Sequence, residues 1–173
     1  MIILETERLR LRRLSPDIDA EFIIELLNDP SFLRYIGDKG VRDLEAARRY
    51  ITDGPARSYD VNGFGLYLVE LKTNETAIGI CGLVKRDTLA HADIGFAFLP
   101  AYWNQGYAFE SAAAVTDHAR AVLGLNRILA ITTPENESSA KLLDKIGFQF
   151  AGLVRLAEGA PEVRLFESEA KST

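Results

Sequence analysis

Leu99-Pro100-Ala101-Tyr102-Trp103-Asn104-Gln105-Gly106-Tyr107-Ala108-Phe109-Glu110 is the stretch that decides how this chain folds. Upstream of it, His91 to Leu99 reads as a strand. Ala92, Ile94, Phe96 and Phe98 alternate there against His91, Asp93, Gly95 and Ala97. Pro100 ends the strand, and a short loop with two aromatics and Gly106 follows. Beyond it Ala108, Ala112, Val115, Ala119 and Val122 fall on one helical stripe of mostly small side chains. A helix entered this way presents N–H groups with no partner inside the helix, and its macrodipole adds partial positive charge. The turn therefore suits an anion. On spacing alone, a tight turn at Gly106 with Ala108 as a packing residue describes it as well.

The rest of the chain builds outward from this unit. Leu9 and Leu11 alternate with Arg8, Arg10 and Arg12, so residues 8–14 read as a half-buried strand. Phe22, Ile23, Leu26 and Leu27 mark a helical face that Asn28-Asp29-Pro30 stops. Residues 31–42 read as loop. A second helix runs from a cap at Asp43 to about Ile51 and is broken by Asp53-Gly54-Pro55. Gly65 to Leu71 and Ile78 to Val84 flank a hairpin turn. Downstream of Gly124 come a strand from Asn126 to Thr132, a helix from Asn136 to about Ile146, and a final strand pair over 148–156 and 163–167. The tail from Ser168 is expected to fray. Late strands separated by helices give a mixed α/β domain.

Composition bounds the function classes. With 173 residues, 47% apolar and 26% charged, the chain reads as one domain with a core that needs no staples. The single cysteine, Cys81, excludes an internal disulfide and a cysteine-based metal cluster. No apolar run reaches membrane-spanning length and none has the form of a signal peptide, so a cytoplasmic location is expected, with no membrane partner. A net charge of −5 argues against nucleic acid.

Two lysine- and glycine-dependent phosphate templates fail at the turn. A Walker loop needs Lys and Ser/Thr where Tyr107 and Ala108 stand, and a dinucleotide fingerprint needs three glycines where only Gly106 is present. Main-chain N–H groups at residues 104–109, with Gly106 and Ala108 small enough for close approach, are the remaining fit. A second segment repeats the arrangement. Thr133-Pro134-Glu135-Asn136-Glu137-Ser138-Ser139 also puts a polar helix start at a strand end. Asn136 either caps that helix or turns its amide to a ligand lying between the two preceding strands.

The chain resembles the GNAT superfamily of acetyl-CoA-dependent N-acetyltransferases, and within it the RimJ/RimL type. The resemblance rests on Leu4-Glu5-Thr6-Glu7-Arg8-Leu9-Arg10-Leu11-Arg12, Asp29-Pro30, Arg34-Tyr35-Ile36-Gly37, Ala92-Asp93-Ile94-Gly95-Phe96, the segment from Tyr102 to Glu110, and Asn136-x-x-Ser139 through Gly147-Phe148. It implies a largely antiparallel sheet of about six to seven strands, splayed at the CoA site and flanked by about four helices. It implies that backbone groups of Phe98 and Leu99 pair with the pantetheine arm. Backbone N–H groups of Asn104, Gln105, Gly106, Tyr107, Ala108 and Phe109 would cradle the pyrophosphate, and the Asn136 side chain would bond the arm near the thioester. Arg34 and Tyr35 would border the acceptor pocket.

Amide formation from a thioester needs a neutral amine, a polarised carbonyl and a proton for the leaving thiolate. Asp93, on the polar side of its strand, is the first candidate base, directly or through water; a solvent-facing strand acid is the competing reading. Glu110 reads as first-turn support of the helix dipole. The family's usual tyrosine donor, seven residues after the motif asparagine, is replaced by Leu143. Ser139, and after it Ser138, are then the candidate donors, with helix capping as their other role. Acetyl-CoA is the expected co-substrate and no metal is expected. The acceptor is an amine: a protein N-terminus or a small molecule. A non-catalytic acyl-CoA sensor is the rival class, and the assembly is expected to be a monomer or homodimer.

Overall fold

Residues 1–170 are described by a computed structural model. The strands are β1 (Ile2–Glu5), β2 (Leu9–Arg13), β3 (Leu66–Leu71), β4 (Ala77–Val84), β5 (Asp93–Phe98), β6 (Arg127–Thr132), β7 (Gln149–Arg155) and β8 (Glu162–Glu169). The α-helices are α1 (Ala20–Leu27), α2 (Pro30–Tyr35), α3 (Leu44–Ile51), α4 (Arg57–Asn62), α5 (Tyr107–Ala121) and α6 (Glu137–Lys145). Among the described residues, one open sheet holds these eight strands in the order β1-β2-β3-β4-β5-β6-β8-β7. Every pairing among the described residues is antiparallel except β5 with β6.

The alternation within the strands sorts the core into two layers. Leu9, Leu11, Val69, Cys81, Ile94 and Phe98 point to the side covered by α5 and α6, where Ala112, Val115, Ala119 and Leu143 meet them. Leu68 and Ile80 point to the other side, under Ile23, Leu26 and Leu27 of α1 and Ala47 and Ile51 of α3. The small residues on α5 let it lie close to the sheet. Val122, counted in its stripe by spacing, is 68% exposed because the helix ends at Ala121.

Several expectations are corrected. Among the described residues the sheet has eight strands, not about six to seven, because the short edge strand β1 pairs with β2. Residues 30–35 are helical: Asp29 caps α2 by accepting from the Ser31 N–H at 2.9 Å, and Pro30 occupies the first turn, where its missing N–H costs nothing. Asp53-Gly54-Pro55 does not break its helix. A π-helical turn over Thr52–Ala56 absorbs Pro55 and joins α3 to α4, so among the described residues five helical bodies flank the sheet rather than about four. The tail does not fray at Ser168, which sits in β8 opposite Ile128, is 6% exposed, and bonds Arg120; residues 171–173 of that tail lie outside the described residues.

Cys81 lies fully buried in β4, and burial pushes its thiol up to about 12, with a hydrogen bond from Ser111 opposing. The native protein should therefore react with a thiol reagent at pH 8 only as fast as it unfolds. Immediate labelling without denaturant would overturn this placement.

Candidate functional site

The pairing of β5 with β6 is confined to Asp93 opposite Leu129 and Ile94 opposite Ala130. Beyond Ile94 the two strands separate. On its other side β5 stays paired with β4 as far as Phe98. The Leu99 N–H donates to the Ile78 carbonyl at 3.0 Å, which sets the alternation of the ladder. Ala97 and Leu99 turn their backbone groups to β4, whereas Phe96 and Phe98 turn theirs into the gap. The Phe98 ring lies over Gly79, where a Cβ would stand 2.5 Å from the ring.

The gap opens into a cleft of about 1480 Å³. Its walls include Gly95, Phe96, Ala97 and Phe98 of β5, Ile131 and Thr132 of β6, and Asn136, Ser138 and Ser139 at the start of α6. Thr132 and Thr133 hold buried hydroxyl oxygens with no hydrogen-bond partner among the described residues. Such groups call for a polar ligand or water.

Asn104, Gly106 and Phe109 close one end of the cleft. Gly106 has φ +83°, and Asn104 takes the same left-handed region at φ +60°. The first N–H bonded within α5 is that of Glu110, to the Gly106 carbonyl at 3.0 Å. Among the described residues nothing accepts from the Tyr107, Ala108 and Phe109 N–H groups, and no side chain caps them. Lys141 and Lys145 of α6 line the same wall, with Lys145 Nζ 5.9 Å from the Phe109 ring.

The β1–β2 turn holds this loop in place. Glu110 accepts from Arg8 Nε at 2.8 Å, from the Arg8 N–H at 3.1 Å and from the Thr6 hydroxyl. Arg8 Nη1 donates to the Gln105 carbonyl at 2.9 Å, and its guanidinium lies 4.4 Å from the Tyr107 ring. Desolvation raises the Glu110 carboxyl, but the bonds from Thr6 and Arg8 outweigh it and hold the group below the usual carboxylate range.

The cleft's other end is formed by Phe32 and Tyr35 of α2, Lys39, Tyr50 of α3, and Lys85 and Arg86 after β4. Asp93 reaches this end from the start of β5. Its side chain is 1% exposed and accepts from Arg86 Nε at 3.0 Å. Burial raises its carboxyl above the ordinary range, and the Arg86 charge opposes that rise. Asp93 is thus not a solvent-facing strand acid.

The sequence matches the model of the acetyltransferase (GNAT) domain over residues 8–149. The chain belongs to the GNAT family of acetyltransferases. An uncharacterised N-acetyltransferase of Bacillus subtilis (strain 168), YoaA, is 34% identical over 155 residues, covering 88% of this chain and 86% of that protein. An acetyltransferase of Agrobacterium tumefaciens strain C58 superposes with a TM-score of 0.80 at 24% identity, covering 96% and 93% of the two chains. A RimL ribosomal-protein α-N-acetyltransferase, solved with coenzyme A, superposes at 0.74 with 16% identity and 98% coverage of both.

On this acetyltransferase fold, the residues singled out in the sequence separate into those that face the cleft and those that do not. Asp93, Phe98, Asn104, Gly106, Phe109, Asn136, Ser138, Ser139 and Tyr35 line it. Leu99 does not offer its backbone: its N–H goes to Ile78 and its carbonyl accepts from the Tyr102 N–H at 2.9 Å. Phe96, two residues before Phe98, has the orientation expected of Leu99. The Phe98 carbonyl accepts from Trp103 Nε1 at 2.8 Å, leaving its N–H toward the gap. Tyr107 and Ala108 turn their side chains to the core, and Gln105 bonds the Ala101 carbonyl. Arg34 lies outside the cleft, exposed and 4.9 Å over the Tyr35 ring, because helical α2 turns Ser31, Phe32 and Tyr35 inward instead. Asn136 acts as a cap, its Oδ1 accepting from the Ser139 N–H at 3.2 Å. The sequence reading missed Lys39, Arg86, Thr132 and Thr133. Only the adjacent cations Lys85-Arg86 at a strand end offered a signal.

Proposed function

We propose that this acetyltransferase moves the acetyl group of acetyl-CoA to an amine by direct attack in a ternary complex. The observation that carries the reading is the one-sided edge of β5. Phe96 and Phe98 turn backbone groups into a gap that ends at the unpartnered N–H groups of α5. An amide-bearing arm fits along such an edge as an added strand, and a pyrophosphate fits the helix start. Thr132, Thr133 and the Asn136 amide supply further polar partners, and Lys141 and Lys145 the balancing charge.

The chain's own groups serve the remaining needs of the reaction. The new C–N bond forms as the C–S bond breaks. Asp93 takes a proton from the amine, directly or through water, and its raised carboxyl suits that task better than an ordinary aspartate. Ser139, with Ser138 beside it, returns a proton to the departing thiolate. The acceptor is a protein N-terminal α-amine or a small-molecule amine. An α-amine, with a pKa of about 7.7–8.0, needs less help from a base than a lysine-type amine near about 10.4.

Thiol release from acetyl-CoA across amines and peptides tests the reading, alongside a melting shift with CoA. A CoA-stabilised protein that acetylates nothing in the panel would overturn it in favour of an acyl-CoA sensor. The buried Leu143 at the usual donor position is the observation that favours that rival. Arg8→Met should weaken acetyl-CoA binding about 10-fold, because one charged clamp on the loop is lost. Its effect should fall on KM for acetyl-CoA more than on kcat.

A further inference from the structure

Two cations share the acceptor end of the cleft, and their arrangement bears on which amine enters. Arg86 is anchored: its Nε is given to the buried Asp93 carboxylate, so the guanidinium cannot swing away without stranding that charge. Its two terminal nitrogens have no hydrogen-bond partner among the described residues, and its side chain remains 35% exposed. Lys39, an exposed residue, lines the same cleft near enough for the Arg86 charge to act on it, and makes no ion pair among the described residues. Desolvation lowers the Lys39 ammonium, and the Arg86 charge lowers it further. Asp53 and Asp87 also line the cleft, both exposed, and neither pairs with either cation. Lys85 is occupied, donating to the Arg86 and Leu89 carbonyls.

The Asp93 carboxylate meets Arg86 only at Nε, so the outer edge of the guanidinium and the Lys39 ammonium are the groups left open to an anion. A guanidinium fixed at Nε offers its outer edge as a planar fork, the geometry that matches a carboxylate. From the anchored Arg86 fork and the unpaired Lys39 beside it, we infer that the acceptor amine carries a carboxylate held by these two residues. This rests on the acetyltransferase reading above and names its substrate class. The carboxylate comes from one of two sources: the α-carboxylate of a free amino acid, or an acidic side chain near a peptide N-terminus.

The test compares kcat/KM, expressed per neutral amine at each acceptor's own pKa, for paired acceptors in two arms. One pairs each free L-amino acid with its α-amide. The other pairs C-terminally amidated peptides bearing Asp or Asn at the second position. Parent, Lys39→Met, Arg86→Met and Arg86→Lys are measured, with acetyl-CoA affinity as a control. The readout is the carboxylate-to-amide ratio, in which any general effect of Arg86 on Asp93 cancels. We expect a ratio of about 10 or more in one arm for the parent, falling toward unity in Lys39→Met and Arg86→Met and partly kept in Arg86→Lys. Ratios near unity in both arms, a preference for cationic amines, or a preference that survives both Met variants would overturn the inference. If nothing is acetylated, binding of the N-acetylated forms of the same compounds to the CoA-loaded protein decides. Carboxylate-dependent binding without turnover defeats the catalytic reading and leaves this subsite standing; its absence defeats the subsite.

Discussion

Asp93→Asn is expected to lower kcat/KM about 100-fold or more while the protein stays folded. The asparagine keeps the shape and an acceptor for Arg86 Nε but cannot take a proton. In the parent, kcat/KM should fall on the acid side through a pKa above about 4, the ordinary aspartate value, because burial raises this carboxyl. The variant should lose that limb from what activity remains. Stability should respond in the opposite sense. A carboxyl whose folded pKa lies above its unfolded one contributes stability in full below the unfolded value, and the contribution is lost as pH rises through the folded value. At a pH above that folded value the ionised Asp93 therefore works against folding, and there the variant should melt no lower than the parent. Unchanged kcat/KM with the same acid limb would assign Asp93 the sole task of anchoring Arg86.

Gly82→Ala is expected to destabilise the protein by about 3 kcal/mol or more, on the order of 6–12 °C in melting temperature. A Cβ at this position of β4 would stand 2.1 Å from the Gly65 carbonyl oxygen and 2.8 Å from the Leu66 Cα. Both are backbone atoms of the neighbouring chain segment, so no rotamer change relieves the clash, and β3 must move. Ile80 and Leu83, either side of Gly82, line the cleft and would shift with the strand. Gly54→Ala is the matched control. Nothing lies within 4 Å of a Cβ there, and the residue is helical. It should be neutral or stabilise by up to about 1 kcal/mol. Equal melting temperatures for the two variants would show that β3 and β4 are not packed this closely.

The turn from β5 into α5 was legible because strand alternation, Pro100, Gly106 and the small-residue stripe all describe one local unit. Local signals fail where a neighbour decides. The helix through Pro55 survives because the chain widens one turn, which no propensity announces. Residues 30–35 carry a cap and a helix-starting proline, yet Asn28-Asp29-Pro30 also reads as a stop. At the site, the identity of the backbone edge depends on ladder phase. A single bond, Leu99 to Ile78, assigns Phe96 and Phe98 to the gap and removes Leu99. The burial of Asp93 and its bond to Arg86 join residues that are close in sequence across a loop whose path the sequence does not state. Lys39 belongs to the same end of the cleft only after α2 and its loop fold over it.

The placement of β8 between β6 and β7 sets an order of assembly. β6 holds β5 at two positions, while six of its residues pair with β8. During synthesis, β6 leaves the ribosome well before the strand that stabilises it, and β7 emerges between them. Until β8 arrives, one wall of the cleft has a weak attachment to the rest of the sheet. A nascent chain should thus acquire the α1–α3 side and strands β1 to β5 first, and become competent to grip a ligand only once Glu162–Glu169 is available. Long-range pairing of this kind slows folding and leaves strand edges open meanwhile.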